Sequence, residues 1–117
     1  MTVPRRLLRL AQASVGLGAV ALGLGNSGAG AAVADEIEQG RALLEENCAR
    51  CHAIGRDGDS PFPPAPPFRL LGERYPVESL EEALAEGIVS GHPAMPEFTF
   101  EPDQIGAIML YLKSLQP

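Results

Sequence analysis

The chain is poor in the residues that usually build a core or a nucleic-acid surface. It has no tryptophan, two tyrosines and four phenylalanines among its 117 residues. Only two cysteines and two histidines are present. The second absence is positive charge. After Ala34 there are six basic residues (Arg41, Arg50, Arg56, Arg69, Arg74 and Lys113) against fifteen acidic ones, a net of −9. That excludes a nucleic-acid binder, which needs lysine and arginine to neutralise phosphates. It suits a soluble protein whose partner has a basic surface. The third absence is a long apolar run. Leu10 to Gly25 is apolar and uncharged, but it is short and rich in glycine and alanine, whereas a spanning helix needs about 20 residues.

The N-terminal segment has a different use. Arg5, Arg6 and Arg9 precede the apolar stretch, and Ala32-Val33-Ala34 supplies a small-x-small cleavage pattern. Residues 1–34 are therefore expected to be a cleavable secretory signal, with Asp35 the first mature residue, no stable membrane insertion after cleavage and a periplasmic location. An uncleaved amphipathic anchor is the alternative. Cleavage leaves 83 residues, a size at which a hydrophobic core alone supplies only about 3–5 kcal/mol.

Periodicity predicts an all-α domain over residues 35–117. Ile37, Gly40, Leu44 and Cys48 share one face of a first helix from about Glu36 to Asn47, with Asp35 as its N-cap and Glu38 in the capping-box position. A glycine on that apolar face costs about 1 kcal/mol against alanine, so Gly40 implies close approach of another helix. Five prolines between Pro61 and Pro67 forbid a helix there, and the stretch from Ala53 to Tyr75 reads mostly as loop. Phe62 and Phe68 flank the prolines and imply packing rather than a free linker. Ser79 with Glu82 reads as a capping box for a second helix, Leu80 to Glu86, stopped by Gly87. A loop, SGHPAMPEF, spans residues 90–98. The last helix is expected from Pro102 to Leu115, with a Phe100–Ile105 staple and an apolar stripe of Ile105, Ile108, Met109, Leu112 and Leu115 beside Tyr111.

Both cysteines fall in one pentapeptide, Cys48-Ala49-Arg50-Cys51-His52. A disulfide between residues three apart closes too small a loop to stabilise the fold appreciably. Zinc needs four ligands, and this chain offers only Cys48, Cys51 and His92. A redox dithiol belongs in a βαβ context, which the helical pattern lacks. C-x-x-C-H specifies covalent haem. Two thiols at a helix end reach two vinyl groups on one porphyrin edge, and the adjacent imidazole reaches the iron. The haem would also supply the apolar bulk that the short chain lacks.

On these residues the chain resembles the class I cytochromes c from Asp35 to Leu115. The resemblance implies three to five short helices around one covalently attached haem c. It implies a monomer that is an electron-transfer protein and not an enzyme, passing single electrons between a redox donor and acceptor. Gly40 and Leu44 match the residues that in that family pack against an apolar–aromatic pair of the last helix, here Ile108 and Tyr111. Cys48 and Cys51 would carry the thioethers and His52 would ligate iron. Pro66, in Ala65-Pro66-Pro67-Phe68, would accept the hydrogen bond of the proximal histidine, although alanine and phenylalanine depart from the family's Gly-Pro-x-Leu-like stretch. Met95, followed by Pro96, would be the sixth ligand, with His92 as its rival and Met109 left to the core. Arg50 and Ala53 stand near the expected exposed haem edge. Glu78, Glu81, Glu82 and Glu86 form either a docking patch for a basic partner or a solvated helix face. A second reading makes the chain the haem c subunit of a larger dehydrogenase or oxidase complex. A sensing haem protein with an open iron site is a third.

Overall fold

Gly40 sets the geometry of the fold. A computed structural model describes residues 28–88 and 93–117; residues 1–27 of the expected 1–34 signal and the rival ligand His92 lie outside them. Among the described residues there are three α-helices, α1 (Gly28–Asn47), α2 (Leu80–Glu86) and α3 (Pro102–Leu115), with two 3-10 turns at Phe68–Glu73 and Val77–Ser79 and no strand. The all-α expectation holds. The principal helix–helix contact is between α1 and α3. At their crossing a Cβ on Gly40 would run into the carbonyl oxygen of Ala107 and lie 3.0 Å from the nitrogen of Ile108. Only a residue without a side chain lets the two backbones approach this closely. Ala107, absent from the expected packing pair, is thus the residue Gly40 meets most directly.

Helix α1 starts earlier than expected. It runs through Asp35, which therefore caps nothing. The segment before it, Gly28 to Ala34, is largely alanine, the best helix former, and has no proline to stop propagation. Residues 28–36 are all exposed, and Ile37 is the first residue of the helix to pack on the core. Arg41 bridges Glu38 and Glu45 on the solvent face, at 2.7 and 2.6 Å, exposed contacts that water screens.

The proline-rich stretch is packed, not a free linker. The N–H of Phe62 donates to the Cys51 carbonyl (3.1 Å), that of Ala65 to Phe62 (2.9 Å) and that of Phe68 to Ala53 (2.9 Å). The chain then enters the first 3-10 turn, which the loop reading missed. This turn buries Phe68 and Leu71. Gln116, just past α3, clamps it: its Nε2 donates to the carbonyls of Phe68 (3.2 Å) and Leu112 (3.0 Å), and its Oε1 accepts from the N–H of Gly72 (3.1 Å).

Ser79 does not cap α2. It lies at φ −65°, ψ −13° and makes no side-chain cap bond. The chain reaches α2 through the second 3-10 turn, so Ser79 is already helical and its hydroxyl is not turned back to the free N–H groups. Gly87 ends the helix with φ 98°, as expected of a terminating glycine. The capping box belongs instead to α3, where the Glu101 N–H donates to Gln104 Oε1 at 3.0 Å. Phe100 and Ile105 bracket that start and are both buried. The α3 stripe is buried along its length, Met109 included, and Ile108 is fully inaccessible. Each such aliphatic side chain contributes about 1.5–3 kcal/mol by leaving water.

Tyr111 turns its hydroxyl across the molecule and donates to the Ile54 carbonyl at 2.9 Å. This ties the segment after His52 to α3. Tyr111→Phe is expected to cost about 1–2 kcal/mol in urea unfolding at pH 7, because a half-buried carbonyl loses its donor. Burial raises the Tyr111 pKa above its ordinary value of 10. Below pH 10 both folded and unfolded chains keep this proton, so the stabilisation is whole. Above it the unfolded chain ionises first, and stability falls as pH rises. The Tyr111 share of that alkaline fall should vanish in the Phe variant.

Candidate functional site

The backbone of Cys48 to His52 prolongs α1 by a turn. The N–H groups of Cys48 and Ala49 donate to the Leu44 carbonyl (2.8 and 3.1 Å), and those of Cys51 and His52 to the Cys48 carbonyl (3.1 and 2.9 Å). This winding brings Cys48, Cys51 and His52 to the wall of a single cavity. The two cysteines are not joined to each other. Burial, with a smaller contribution from Cys51, pushes the Cys48 thiol up to about 11. A catalytic dithiol needs the opposite, a thiol depressed toward neutrality. Zinc fares no better: among the described residues no three of His, Cys, Asp and Glu converge as ligands.

His52 is oriented by the backbone of the proline-rich loop. Its Nδ1 lies 2.8 Å from the Pro66 carbonyl oxygen. A carbonyl only accepts, so Nδ1 carries the proton and donates it. Nε2 then keeps its lone pair. The bond fixes the tautomer and the ring orientation. Phe68 packs on the ring at a centroid distance of 4.8 Å. The loop is held in turn by Ser60, whose Oγ accepts from the N–H of Ala53 at 3.0 Å.

The cavity has a volume of about 860 Å³, within the range of cofactor sites, ~300–1,000 Å³. Leu44 of α1, Leu84 of α2, and Ile108 and Leu112 of α3 line it, together with Phe68 and Leu71. Met95, half-buried, reaches it from the loop before α3. Met109 does not line it. Among the described residues no charged or polar side chain is fully buried. Two thiols, one imidazole with a free Nε2 and one thioether thus meet an apolar space. Soft sulfur and imidazole donors suit iron, and the walls suit a porphyrin face; the residues fit a haem.

The remaining positions singled out in the sequence lie around this site. Arg50 is exposed at the cavity rim, while Ala53 is half-buried behind the turn. Glu78, Glu81, Glu82 and Glu86 are all exposed, and among the described residues only Glu78 of these approaches a cation, Lys113 at 3.8 Å. Arg74 and Tyr75, which sequence reasoning passed over, also line the cavity; nothing in their spacing marks them.

Comparison with known proteins agrees with this geometry. Residues 35–112 match the family described as cytochrome c oxidase, cbb3-type, subunit III. The chain is 30% identical over 91 residues to a cytochrome c-552 of Bradyrhizobium diazoefficiens, covering 78% of this chain and 86% of that protein. It is 31% identical over 85 residues to a cytochrome c-553-like protein of Synechocystis, covering 72% of this chain and 73% of the relative. No solved structure matches.

Proposed function

Because the chain belongs to the c-type cytochromes, in the family of the cbb3-type oxidase subunit III, we propose that it is a periplasmic one-electron carrier with His52 and Met95 as the iron ligands. It is a haem c protein of the electron-transfer class, with Cys48 and Cys51 in the C-x-x-C-H motif. Bound in the cavity, the haem supplies an iron that alternates between ferrous and ferric states by one electron.

The observation that carries the ligand reading is the hydrogen bond from His52 Nδ1 to Pro66, which leaves Nε2 free on the wall that also holds the two thiols. Cys48 and Cys51 hold the group as thioethers, so unfolding does not release it. Met95 supplies soft sulfur, which favours the ferrous state, and a Met/His pair raises the potential. If His52 and Met95 both held the iron, the apolar walls would leave no place for a substrate. The periplasmic location rests on the signal pattern of residues 1–34, and no described helix is long and apolar enough to cross a membrane.

Met95→Ala tests the ligand. The methionine–iron charge-transfer band of the ferric protein should disappear, and carbon monoxide affinity of the ferrous protein should rise at least roughly tenfold, worth about 1.4 kcal/mol. A variant that keeps the band sinks Met95 as ligand.

A second reading, haem c subunit of a larger oxidase, is favoured by the family's own description. Co-purification with a catalytic subunit would establish it, whereas elution as a free monomer supports the carrier. If the exposed glutamates of α2 guide a basic partner, the electron-transfer rate falls with rising salt; a rate insensitive to salt removes that role.

A further inference from the structure

Among the described residues, the hydrogen bonds that join the first 3-10 turn (Phe68–Glu73) to α3 all run through one side chain, Gln116. It follows α3 directly and is half-buried, whereas glutamines mostly lie exposed. Its amide is fully used. Nε2 has two N–H groups, and it donates to the carbonyls of Phe68 at 3.2 Å and Leu112 at 3.0 Å. Oε1 accepts from the N–H of Gly72 at 3.1 Å. The turn leaves room for this amide: a Cβ on residue 72 would lie 2.5 Å from Oε1, so the glycine there keeps the seat open.

Phe68, at the near end of the turn, meets the His52 segment directly. Its ring packs on the imidazole at 4.8 Å, and its N–H donates to the carbonyl of Ala53, the next residue, at 2.9 Å. Two residues before it, the Pro66 carbonyl receives the His52 Nδ1 proton at 2.8 Å. Pro66 and Pro67 have no N–H, so donors of their own cannot anchor that carbonyl. It is held from its flanks. On one side the Ala65 N–H donates to the Phe62 carbonyl at 2.9 Å. On the other stands Phe68. Its N–H is tied to Ala53, which belongs to the same segment as His52. Its carbonyl is tied through Gln116 to α3. Gln116 is therefore the hydrogen-bonded link that sets the Pro66 carbonyl against the principal helix of the fold.

We propose that Gln116 is a positioning residue for His52: by fixing the Phe68 turn to α3, it holds the Pro66 carbonyl on Nδ1 and the Phe68 ring against the imidazole. This rests on the haem c reading above. A carbonyl held on Nδ1–H makes Nε2 a stronger electron donor to a bound metal. A stronger donor favours ferric over ferrous iron, so firm seating lowers the reduction potential and a loosened seat raises it. Gln116 does not line the cavity. Its influence on the iron passes through His52.

The test uses haem-loaded wild type, Gln116→Ala, Gly72→Ala and Ser114→Ala. Two quantities are measured at pH 7: the midpoint potential, and hydrogen exchange of the His52 Nδ1 proton in the ferrous protein by NMR. Gln116→Ala should raise the potential, moving the ferrous–ferric equilibrium about two- to tenfold toward ferrous, where tenfold is about 59 mV for one electron. The Nδ1 proton should exchange about tenfold faster, the lower end of what such outer partners contribute. The Ile108 amide, in the buried middle of α3, should keep its rate, which separates local loosening from global opening. Gly72→Ala, whose methyl group crowds Oε1, should move both readouts the same way by less. Ser114→Ala should match wild type, because that hydroxyl bonds the Tyr111 carbonyl within its own helix at 2.6 Å. Unchanged potential and Nδ1 exchange in Gln116→Ala, with haem still covalently bound, would overturn the assignment while leaving the haem c reading intact. Equal acceleration at His52 and Ile108 would also overturn it, since that marks a contact serving stability alone. Wild-type protein that loses its haem on denaturation would overturn the haem c reading as well.

Discussion

Gly40→Ala is expected to destabilise the holoprotein by about 3 kcal/mol or more and to leave the haem-free chain unfolded. The new methyl group would meet the Ala107 carbonyl and the backbone around it. Backbone inside a buried helix cannot rotate away as a flexible side chain can, so the two helices must separate. Overpacking of this kind costs about 1–3 kcal/mol and sometimes more. Separation would also loosen Leu44 and Ile108, which lie beside the crossing and line the cavity. Thermal unfolding of the purified variant measures the effect. A midpoint within a few degrees of wild type would mean that the helices do not cross as closely as described.

The Cys48→Ser, Cys51→Ser double variant is expected to lose covalent haem entirely and most of its tertiary structure. The domain has a core of about a dozen buried hydrophobic side chains, and many of them face the cavity rather than each other. Without the group, their apolar surface meets water. Near-UV circular dichroism should flatten, while some helical far-UV signal remains.

Much of the architecture was legible because its signals were local. The stripe of α3, the stop at Gly87 and the proline at the head of α3 act over one or two helical turns. Gly40 was legible for a different reason: a glycine on an apolar helix face demands an explanation, and close crossing is the physical one. Its partner was only half visible, since Ile108 belongs to the stripe while Ala107 touches Gly40 through its carbonyl, which no side-chain pattern encodes. The start of α1 was misjudged because an aspartate before a periodic run resembles a cap, yet alanines upstream let the helix continue. Ser79 misled similarly, because a 3-10 turn ahead of α2 already holds it in helical geometry.

At the site, the pentapeptide and Met95 stand out because few cysteines, histidines and methionines compete with them. The Pro66 carbonyl sits 2.8 Å from His52 despite the departures from the Gly-Pro-x-Leu-like pattern around it. Backbone supplies that acceptor, so the identities of Ala65 and Phe68 matter for packing and not for the bond. Arg74, Tyr75 and Gln116 were invisible beforehand. Long-range folding brings Arg74 and Tyr75 back to the cavity wall and Gln116 onto the first 3-10 turn, placements that no local pattern encodes.

One haem joined to Cys48 and Cys51 underlies the whole site. Intact-mass measurement of the purified protein under fully denaturing conditions tests it most directly. The predicted result is a single species with the mass of the polypeptide plus one haem, reduced to the bare polypeptide in the Cys48→Ser, Cys51→Ser variant. A wild-type mass equal to the polypeptide alone, with the haem released on denaturation, would contradict it.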